Sequence, residues 1–531
     1  MIDRLVVLSG HIGAGKTTLA DALVVGHDFK LIKTRELLSE ELKTSGRLNL
    51  QLGGEKLDRR THGAWLAQAL LSKLFALDDP SNVVVDSVRI PEQVDQLRIA
   101  FGSRVIHVHL LASEALRRSR YAQRGDAEAF NRVMSNRTES RVDRLAETAD
   151  IVIDTSRNTA DDVTARIASR LGLYGGRAEP LVDVLVGGQY GSEGKGHVAS
   201  YLARGYQYLV RVGGPNAGHK VCEEDGEIYT FHQLPSGTRR SDAAIILGPG
   251  SVLSIEQVLK EVRDCRVDPL RLSIDPNAMI IEKADVREEQ KYLVRTIGST
   301  GQGVGIAFAR KVRRTAARPR VRLAKDVRQL KPYVREARRI LDRAFARGEK
   351  IFVEGTQGTG LSLHHGEYPF VTSRDTTVSG CLSEAGIAPS RVRRIILVVR
   401  TYPIRVESPD GETSGPMTLE LNWAEISRRS GVSRKELEEA ERTSTTNRRR
   451  RVAEFDWHLF RRAVSLNGPT DIALTFADYL SIDNRDARRF EQLTTETIHL
   501  VEELERVAAA HVSLITTRFH PRSIIDRRDW R

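Results

Sequence analysis

The sequence predicts an α/β protein in two domains, and three observations carry that expectation. Apolar, strand-like runs lead into glycine-rich turns followed by helical patterns, once near the start and again from residue 181. At 531 residues the chain is too long for one ordinary domain. A stretch mixing glycine, proline and charge, Tyr174-Gly-Gly-Arg-Ala-Glu-Pro180, separates the two patterns as a linker would. The expected organisation is a P-loop, parallel-sheet domain over 1–173, a linker over 174–180 and a larger α/β domain over 181–531.

Composition narrows the partners. Lys and Arg number 82 against 70 Asp and Glu, a net charge of +12. Such a balance suits anionic ligands, either nucleotides or a nucleic-acid backbone. Aromatic residues make up only 6%, too few to suggest stacking platforms for single strands. The basic residues also fall inside ligand motifs, so nucleotides are the expected partners and nucleic acid is not. Cys222, Cys265 and Cys381 are scattered without metal spacing, which suits a reducing, cytoplasmic compartment. The residues before Leu5 are too few for a signal sequence. No apolar run approaches the length of a membrane span, so no membrane association is expected.

In the first domain, Leu5-Val-Val-Leu8 reads as a buried strand. It runs into Gly10-His-Ile-Gly-Ala-Gly-Lys-Thr17, a full G-x-x-x-x-G-K-T motif. Gly10, Gly13 and Gly15 let backbone amides close on phosphate, Lys16 reaches the β and γ oxygens, and Thr17 meets Mg²⁺. Val83-Val-Val-Val-Asp86 is a strand ending in an acid, placed as a second metal-side carboxylate would be, although such an Asp also serves as a simple cap. An arginine-dense helix carries Arg117, Arg120 and Arg124. It is either a solvated face or a cover for transferring phosphates. Thr34 and Arg35 lie where an acceptor monophosphate would be held. In outline the segment resembles nucleoside monophosphate and dephospho-coenzyme-A kinases, most specifically at the P-loop.

In the second domain, Leu181-Val-Asp-Val-Leu-Val186 leads into Gly187-Gly-Gln-Tyr-Gly-Ser-Glu-Gly-Lys-Gly196. A second loop follows, Gly213-Gly-Pro-Asn-Ala-Gly-His-Lys220. Glycine loops between strand and helix favour anions through free N–H groups and the helix dipole. These two loops resemble the adenylosuccinate synthetase signature, Gly-Gln-Trp-Gly-Asp-Glu-Gly-Lys-Gly followed by Gly-Gly-x-Asn-Ala-Gly-His. The likeness extends over 181–525 in six blocks.

What the resemblance implies is specific. Gly191, Gly194, Gly196 and Asn216 would hold nucleotide, Lys195 would stabilise developing charge, and Gly218 would face the metal. His219 would act on the phosphoryl oxygens. In Ile297-Gly-Ser-Thr-Gly-Gln-Gly-Val-Gly305, Thr300 would bind a phosphate, as would Thr372. Arg314 would reach the nucleotide site of a partner in a homodimer. Gln357 would contact the base. Thr445, Thr446, Arg448 and Arg450 would hold the carboxylates of L-aspartate, which guanidinium forks suit. The implied reaction couples aspartate to C6 of a purine nucleoside monophosphate, with Mg²⁺ and ATP or GTP, through a 6-phosphoryl intermediate.

Two departures matter. Thr475-Phe-Ala-Asp478 keeps Asp478 of the family's guanine-reading Thr-Lys-Leu-Asp but loses the lysine, which weakens the case for GTP. Ser192 stands where the family has its catalytic aspartate. A serine hydroxyl neither takes a proton at neutral pH nor offers a metal an anionic ligand. The same replacement occurs in the 2-aminoadenylosuccinate synthetases of diaminopurine-DNA phages, which act on dGMP. A shorter, neutral side chain leaves room for guanine's 2-amino group. A (d)GMP-type substrate is therefore expected ahead of IMP. The rival readings are ordinary IMP-using synthesis with GTP, and a weakened purine-nucleotide sensor.

Overall fold

The computed structural model describes residues 2–45, 47–76, 82–123, 142–173, 179–314, 321–408, 414–443 and 447–530. The chain forms two compact units, Met1–Arg177 and Ala178–Arg531. Each is built on its own sheet.

The first unit carries a five-stranded parallel sheet. In spatial order its strands are Lys30–Lys33, Asn82–Asp86, Arg4–Ser9, Val105–Leu111 and Ile151–Asp154. Leu5, Val6, Val7 and Leu8 are fully buried, as are Val83, Val84 and Val85. Near-continuous Val and Leu runs are what a strand covered on both faces requires. One face packs on Trp65, Leu66 and Leu70, the other on Leu19, Leu23 and Ile167.

The second unit carries a nine-stranded sheet. In spatial order its strands are Leu272–Ile274, Ala244–Leu247, Tyr208–Arg211, Ile351–Glu354, Val182–Gly187, Val392–Arg400, Asp471–Thr475, His511–Thr516 and Ile524–Asp526. All neighbours run parallel except the last pair. Val182–Gly187 is buried along its whole length at the sheet centre. Parallel strands all end on one edge, so the loops beyond their carboxyl ends converge there. The expected loops at 187, 213, 355 and 476 all leave from that edge. Arg211, Glu354, Arg400 and Thr475 are strand-terminal residues and line up along it. The register pairs Glu354 with Arg211 and Thr475 with Arg400. No described helix is long and apolar enough to cross a membrane.

Candidate active site

The strand Val182–Gly187 ends in a loop that turns twice through the left-handed region. Gly191 has φ 98° and Gly194 has φ 84°, conformations costly for any side chain. Gly194 then opens the helix Lys195–Leu202. A Cβ on Gly191 would stand 3.0 Å from the Gln357 Cα, so the loop lies directly against the turn after Ile351–Glu354. Gln357 holds φ 59° without being glycine. Such strain persists where the surroundings impose it and often marks a working site.

These loops enclose a cavity of about 410 Å³. Of the residues expected from the sequence, Gly191, Ser192, Asn216, Gly218, His219, Thr300, Gln357, Thr372 and Arg450 all line it. They come from separate blocks and meet only in the fold. Asn216 Oδ1, His219 Nε2 and Gln357 Nε2 are buried without hydrogen-bond partners. Leaving buried polar atoms unpaired costs roughly 1–3 kcal/mol each, a cost expected where a ligand completes them. The Gln357 Oε1 is already committed, accepting from Thr356 Oγ1 at 2.9 Å, which leaves the amide nitrogen as the available group.

His219 sits against a buried carboxylate. Its Nδ1 makes a very short contact with Glu354 Oε1, and Arg211 Nη1 donates to that same oxygen at 3.0 Å. Burial would raise the Glu354 carboxyl, but Arg211 and His219 outweigh it and hold Glu354 at about 2. Burial, seconded by Arg211 and opposed by Glu354, pulls His219 down to about 4. Glu354 was not expected from the sequence. Nor was Glu289, a buried acid lining the cavity, whose Oε1 accepts from Ser299 Oγ at 2.5 Å beside Thr300.

Several expected residues stand behind the cavity instead of lining it. Lys195 is buried, donating to Glu193 Oε2 at 2.6 Å and to the Gly191 carbonyl at 3.1 Å. Glu193 Oε1 accepts from the Gln189 and Gly191 amides at 3.0 and 2.8 Å. The pair therefore shapes the loop from within. Gly196 is pinned because a Cβ there would fall 2.7 Å from the His219 Cβ. Arg448 Nη1 reaches the Gly298 carbonyl at 3.4 Å, and Arg448 does not line the cavity. Arg450 Nη1 donates to Glu441 at 2.8 Å. Arg314 is exposed at the end of the helix Val304–Arg313. Thr445 and Thr446 lie outside the described residues.

Asp478 is buried beyond Asp471–Thr475. Burial pushes its carboxyl up to about 6, partly offset by Arg485 Nε at 3.4 Å. Its Oδ1 has no partner. Phe476, at the position where a lysine is missing, has φ 60° and lies under the Arg400 guanidinium, 4.1 Å from the ring centre.

The first unit has its own phosphate loop. Gly15, at φ 102°, opens the helix Lys16–His27. Gly10 admits no side chain, since a Cβ would meet the Leu110 carbonyl at 2.4 Å. Lys16 Nζ folds onto the Gly10 and His11 carbonyls at 2.6 and 2.9 Å. Thr17 Oγ1 donates to Asp86 Oδ2 at 2.9 Å, so the strand-terminal acid does face the P-loop threonine. This oxygen pair suits a hard divalent cation. The helix Glu114–Ala122 brings Arg120 Nη1 to the Gly13 carbonyl at 3.1 Å and places Arg117 against the same glycine. Arg124 lies outside the described residues. Thr34 begins the helix Thr34–Leu42 and is buried, while Arg35 is exposed.

Comparison with known proteins agrees with both halves. The family described as Adenylosuccinate synthetase matches residues 184–328 and 319–485, and an AAA domain family matches 5–151. The adenylosuccinate synthetase of Methanococcus aeolicus is 35% identical over 341 residues, covering 63% of this chain and 96% of the relative. That of Thermococcus onnurineus is 36% identical over 354 residues, covering 65% and 98%. Among solved structures, the succinoaminodeoxyadenylate synthetase of cyanophage S-2L, bound to dGMP and dATP as an energy donor, is 30% identical with a TM-score of 0.56. It covers 66% of this chain and 96% of that one. The fully ligated Plasmodium falciparum adenylosuccinate synthetase, 20% identical with a TM-score of 0.57, shares the fold over 66% of this chain and 100% of its own.

Proposed function

The chain belongs to the adenylosuccinate synthetase family through its second unit, and on that premise we propose that this unit joins L-aspartate to C6 of dGMP or GMP. The observation that carries the reading is the gathering of Ser192, Asn216, His219, Thr300, Gln357, Thr372 and Arg450 around one cavity with unpaired polar atoms. In the reaction, purine N1 gives up its proton to water, O6 attacks the γ-phosphorus of a nucleoside triphosphate, and the nucleoside diphosphate leaves with the bond's electrons. The amine of aspartate then attacks C6, and the C6–O bond breaks to release phosphate. The Gln357 amide contacts the base, His219 meets the phosphoryl oxygens, and Thr300 and Thr372 hold the monophosphate. Lys195 acts through the loop it organises with Glu193.

The monophosphate preference rests on Ser192, whose small, neutral side chain lines the cavity and leaves space beside N1 and C2. The S-2L synthetase, bound to dGMP in its solved structure, is a relative in line with this choice. For the triphosphate we favour ATP or dATP over GTP, because Phe476 takes the place of the lysine in the guanine-reading segment. Mg²⁺ fits as an ion carried in on the triphosphate. The Gly218 carbonyl and the Ser192 hydroxyl are neutral oxygen donors, a set that suits a cation already bound to phosphate. When bound, it would neutralise charge on the transferring phosphates.

For the first unit we propose phosphoryl transfer to a nucleoside monophosphate. The support is the Lys16 loop, the Thr17–Asp86 pair as the Mg²⁺ seat, and Arg117 and Arg120 packed on the glycines. Both activities are tested by one panel: each purine monophosphate with aspartate and each triphosphate, with products identified by mass. Aspartate-dependent phosphate release with dGMP or GMP supports the ligase reading. Preference for IMP with GTP would favour ordinary adenylosuccinate synthesis, and no turnover at all would leave a nucleotide-binding role.

A further inference from the structure

Resting on the ligase reading above, we propose that Thr356 is a positioning residue for Gln357, with Arg374 setting the direction of its hydroxyl. Together they hold the Gln357 amide with its oxygen inward, so that the Nε2–H₂ group faces the cavity and donates to purine O6.

Arg374 fixes the polarity. It is buried at 5% relative exposure, beside Thr356 at 1% and Gln357 at 7%. A guanidinium has five N–H donors and no acceptor. Arg374 Nε donates to Glu384 Oε1 at 2.5 Å, and Nη2 stands 4.0 Å from Cys381 Sγ. Nη1 donates to Thr356 Oγ1 at 2.7 Å, with the Thr356 carbonyl and Gln357 Oε1 both at 3.4 Å. The Thr356 oxygen therefore accepts from Arg374, and its own proton points onward. Two acceptors are within its reach, Gln357 Oε1 at 2.9 Å and the Val212 carbonyl at 3.4 Å. The shorter contact makes the better bond.

The rival is the opposite amide orientation. It would set Nε2 beside Thr356, turn the hydroxyl to Val212 and leave Oε1 facing the cavity. That arrangement brings the amide N–H₂ against Arg374 Nη1, donor against donor, and keeps only the longer hydroxyl contact. With the oxygen inward, both donors are answered, and Nε2 is the buried atom without a hydrogen-bond partner among the described residues, in a side chain that lines the cavity. When N1 gives up its proton, charge collects on O6, and an N–H donor already fixed at that oxygen steadies it. Glu384 Oε2 also accepts from the Gly213 amide at 2.8 Å. The plain alternative is thus that Arg374 and Glu384 form a buried ion pair that ties down the loop at 213, with no bearing on the amide.

Neutron diffraction from deuterium-exchanged crystals of the full-length protein reads the amide directly. Two deuterons on the Gln357 atom facing the cavity, with the Thr356 deuteron directed at Gln357, are the expected result. Deuterons on the atom beside Thr356 overturn the proposal whether or not any variant folds. Kinetics then separates positioning from packing. Thr356→Val removes the hydroxyl and leaves Arg374 on Glu384. With the purine monophosphate that wild type uses best, kcat should fall about 10²–10³-fold, the range for losing one such donor, while its KM stays within about threefold. Thr356→Ser, which keeps the hydroxyl, should retain at least about tenfold more kcat than the valine variant. A valine variant with kcat within about threefold of wild type, or equal losses in the valine and serine variants, also overturns the proposal. A wild type that releases no phosphate with aspartate and any purine monophosphate sinks the ligase reading alone, since the neutron measurement needs no turnover.

Discussion

Arg400 donates from Nη1 to the backbone carbonyl of Ser192 at 3.2 Å, and from Nη2 to Glu441 at 2.7 Å. Glu441 is fully buried, and it also accepts from Arg450 Nη1 and from the Tyr479 hydroxyl, at 2.8 and 2.9 Å. Burial would raise its carboxyl, but Arg400 and Arg450 hold it at about 2. One buried carboxylate therefore ties the nucleotide loop, through Arg400, to the arginine loop, through Arg450. The position of Ser192 and the position of the expected aspartate-binding side chain are set by the same anchor.

Arg450 and Arg448 should consequently behave differently. Arg450 lines the cavity, whereas Arg448 does not. Arg450→Ala removes a charged hydrogen bond worth about 1.5–3 kcal/mol and should raise the KM for aspartate roughly 10–150-fold, with nucleotide KM little changed. Arg448→Ala should have the smaller effect. Steady-state kinetics with aspartate and dGMP varied in turn decide this. Equal loss of both affinities would mark the loop as a basic surface.

His219→Ala should lower kcat by about 10²–10⁴-fold, the usual cost of losing a proton-handling group, while dGMP still binds. The comparison is turnover against calorimetric affinity. Near-normal turnover in the variant would defeat the role assigned to His219.

The first unit should fail separately from the second. Lys16→Ala removes the ammonium that now rests on the Gly10 and His11 carbonyls. Nucleoside monophosphate phosphorylation should be abolished and aspartate-dependent phosphate release unchanged, each assayed with its own substrates. Loss of both together would contradict the assignment of one activity to each unit.

Asp478 gives a pH dependence of definite sign. Its folded carboxyl is raised, chiefly by burial, from an ordinary 3.8 to about 6. The folded state then binds the proton more tightly than the unfolded chain. The resulting stabilisation is complete below about pH 4 and is lost as pH rises through about 6, an effect on the order of 3 kcal/mol. Asp478→Asn should abolish that dependence, so its melting temperature should gain on wild type between pH 4 and 7. A constant difference across that range would contradict the burial argument.

Much of this architecture was legible in the chain. The P-loop of 10–17 and the loops at 187–196 and 213–220 declare themselves through glycines that only positive φ or close approach explains. The buried strands before them show as uninterrupted Val and Leu. Glu354 was not legible, although it stands three residues before Gln357. An acid ending an apolar strand reads equally well as a cap, and its meaning depends on Arg211, 143 residues away in sequence. Glu441 was hidden likewise among the acids of residues 436–441. The partner of Lys195 was hidden too: its ammonium donates to Glu193, two residues back, a contact that the glycine spacing of the loop does not show. Motif spacing identifies loops, whereas partners across a sheet edge are set by strand order, which spacing does not encode.

Ser192 is the position at which substrate choice should turn. It lines the cavity with Gln357 and His219, and the loop bearing it is fixed by the Arg400 contact and by the Glu193 side chain on the Gly191 amide. Among the described residues lining that cavity the one carboxylate is Glu289, which is held on the Ser299 hydroxyl. Wild type should therefore prefer dGMP or GMP to IMP, since serine leaves room for a 2-amino group and can accept from it. Ser192→Asp adds bulk and charge at a fixed position. It should crowd that amino group while restoring an acid beside an unsubstituted N1–C2 edge. Exclusion of one small group is worth about 1–3 kcal/mol, so the ratio of kcat/KM for dGMP over IMP should fall about 10–200-fold. The same substitution should raise kcat with IMP, because a general base contributes about 10²–10⁴-fold where it was missing. The measurement is kcat/KM for both nucleotides in both proteins. A wild type that strongly prefers IMP, with a ratio the variant does not move, would sink the steric argument.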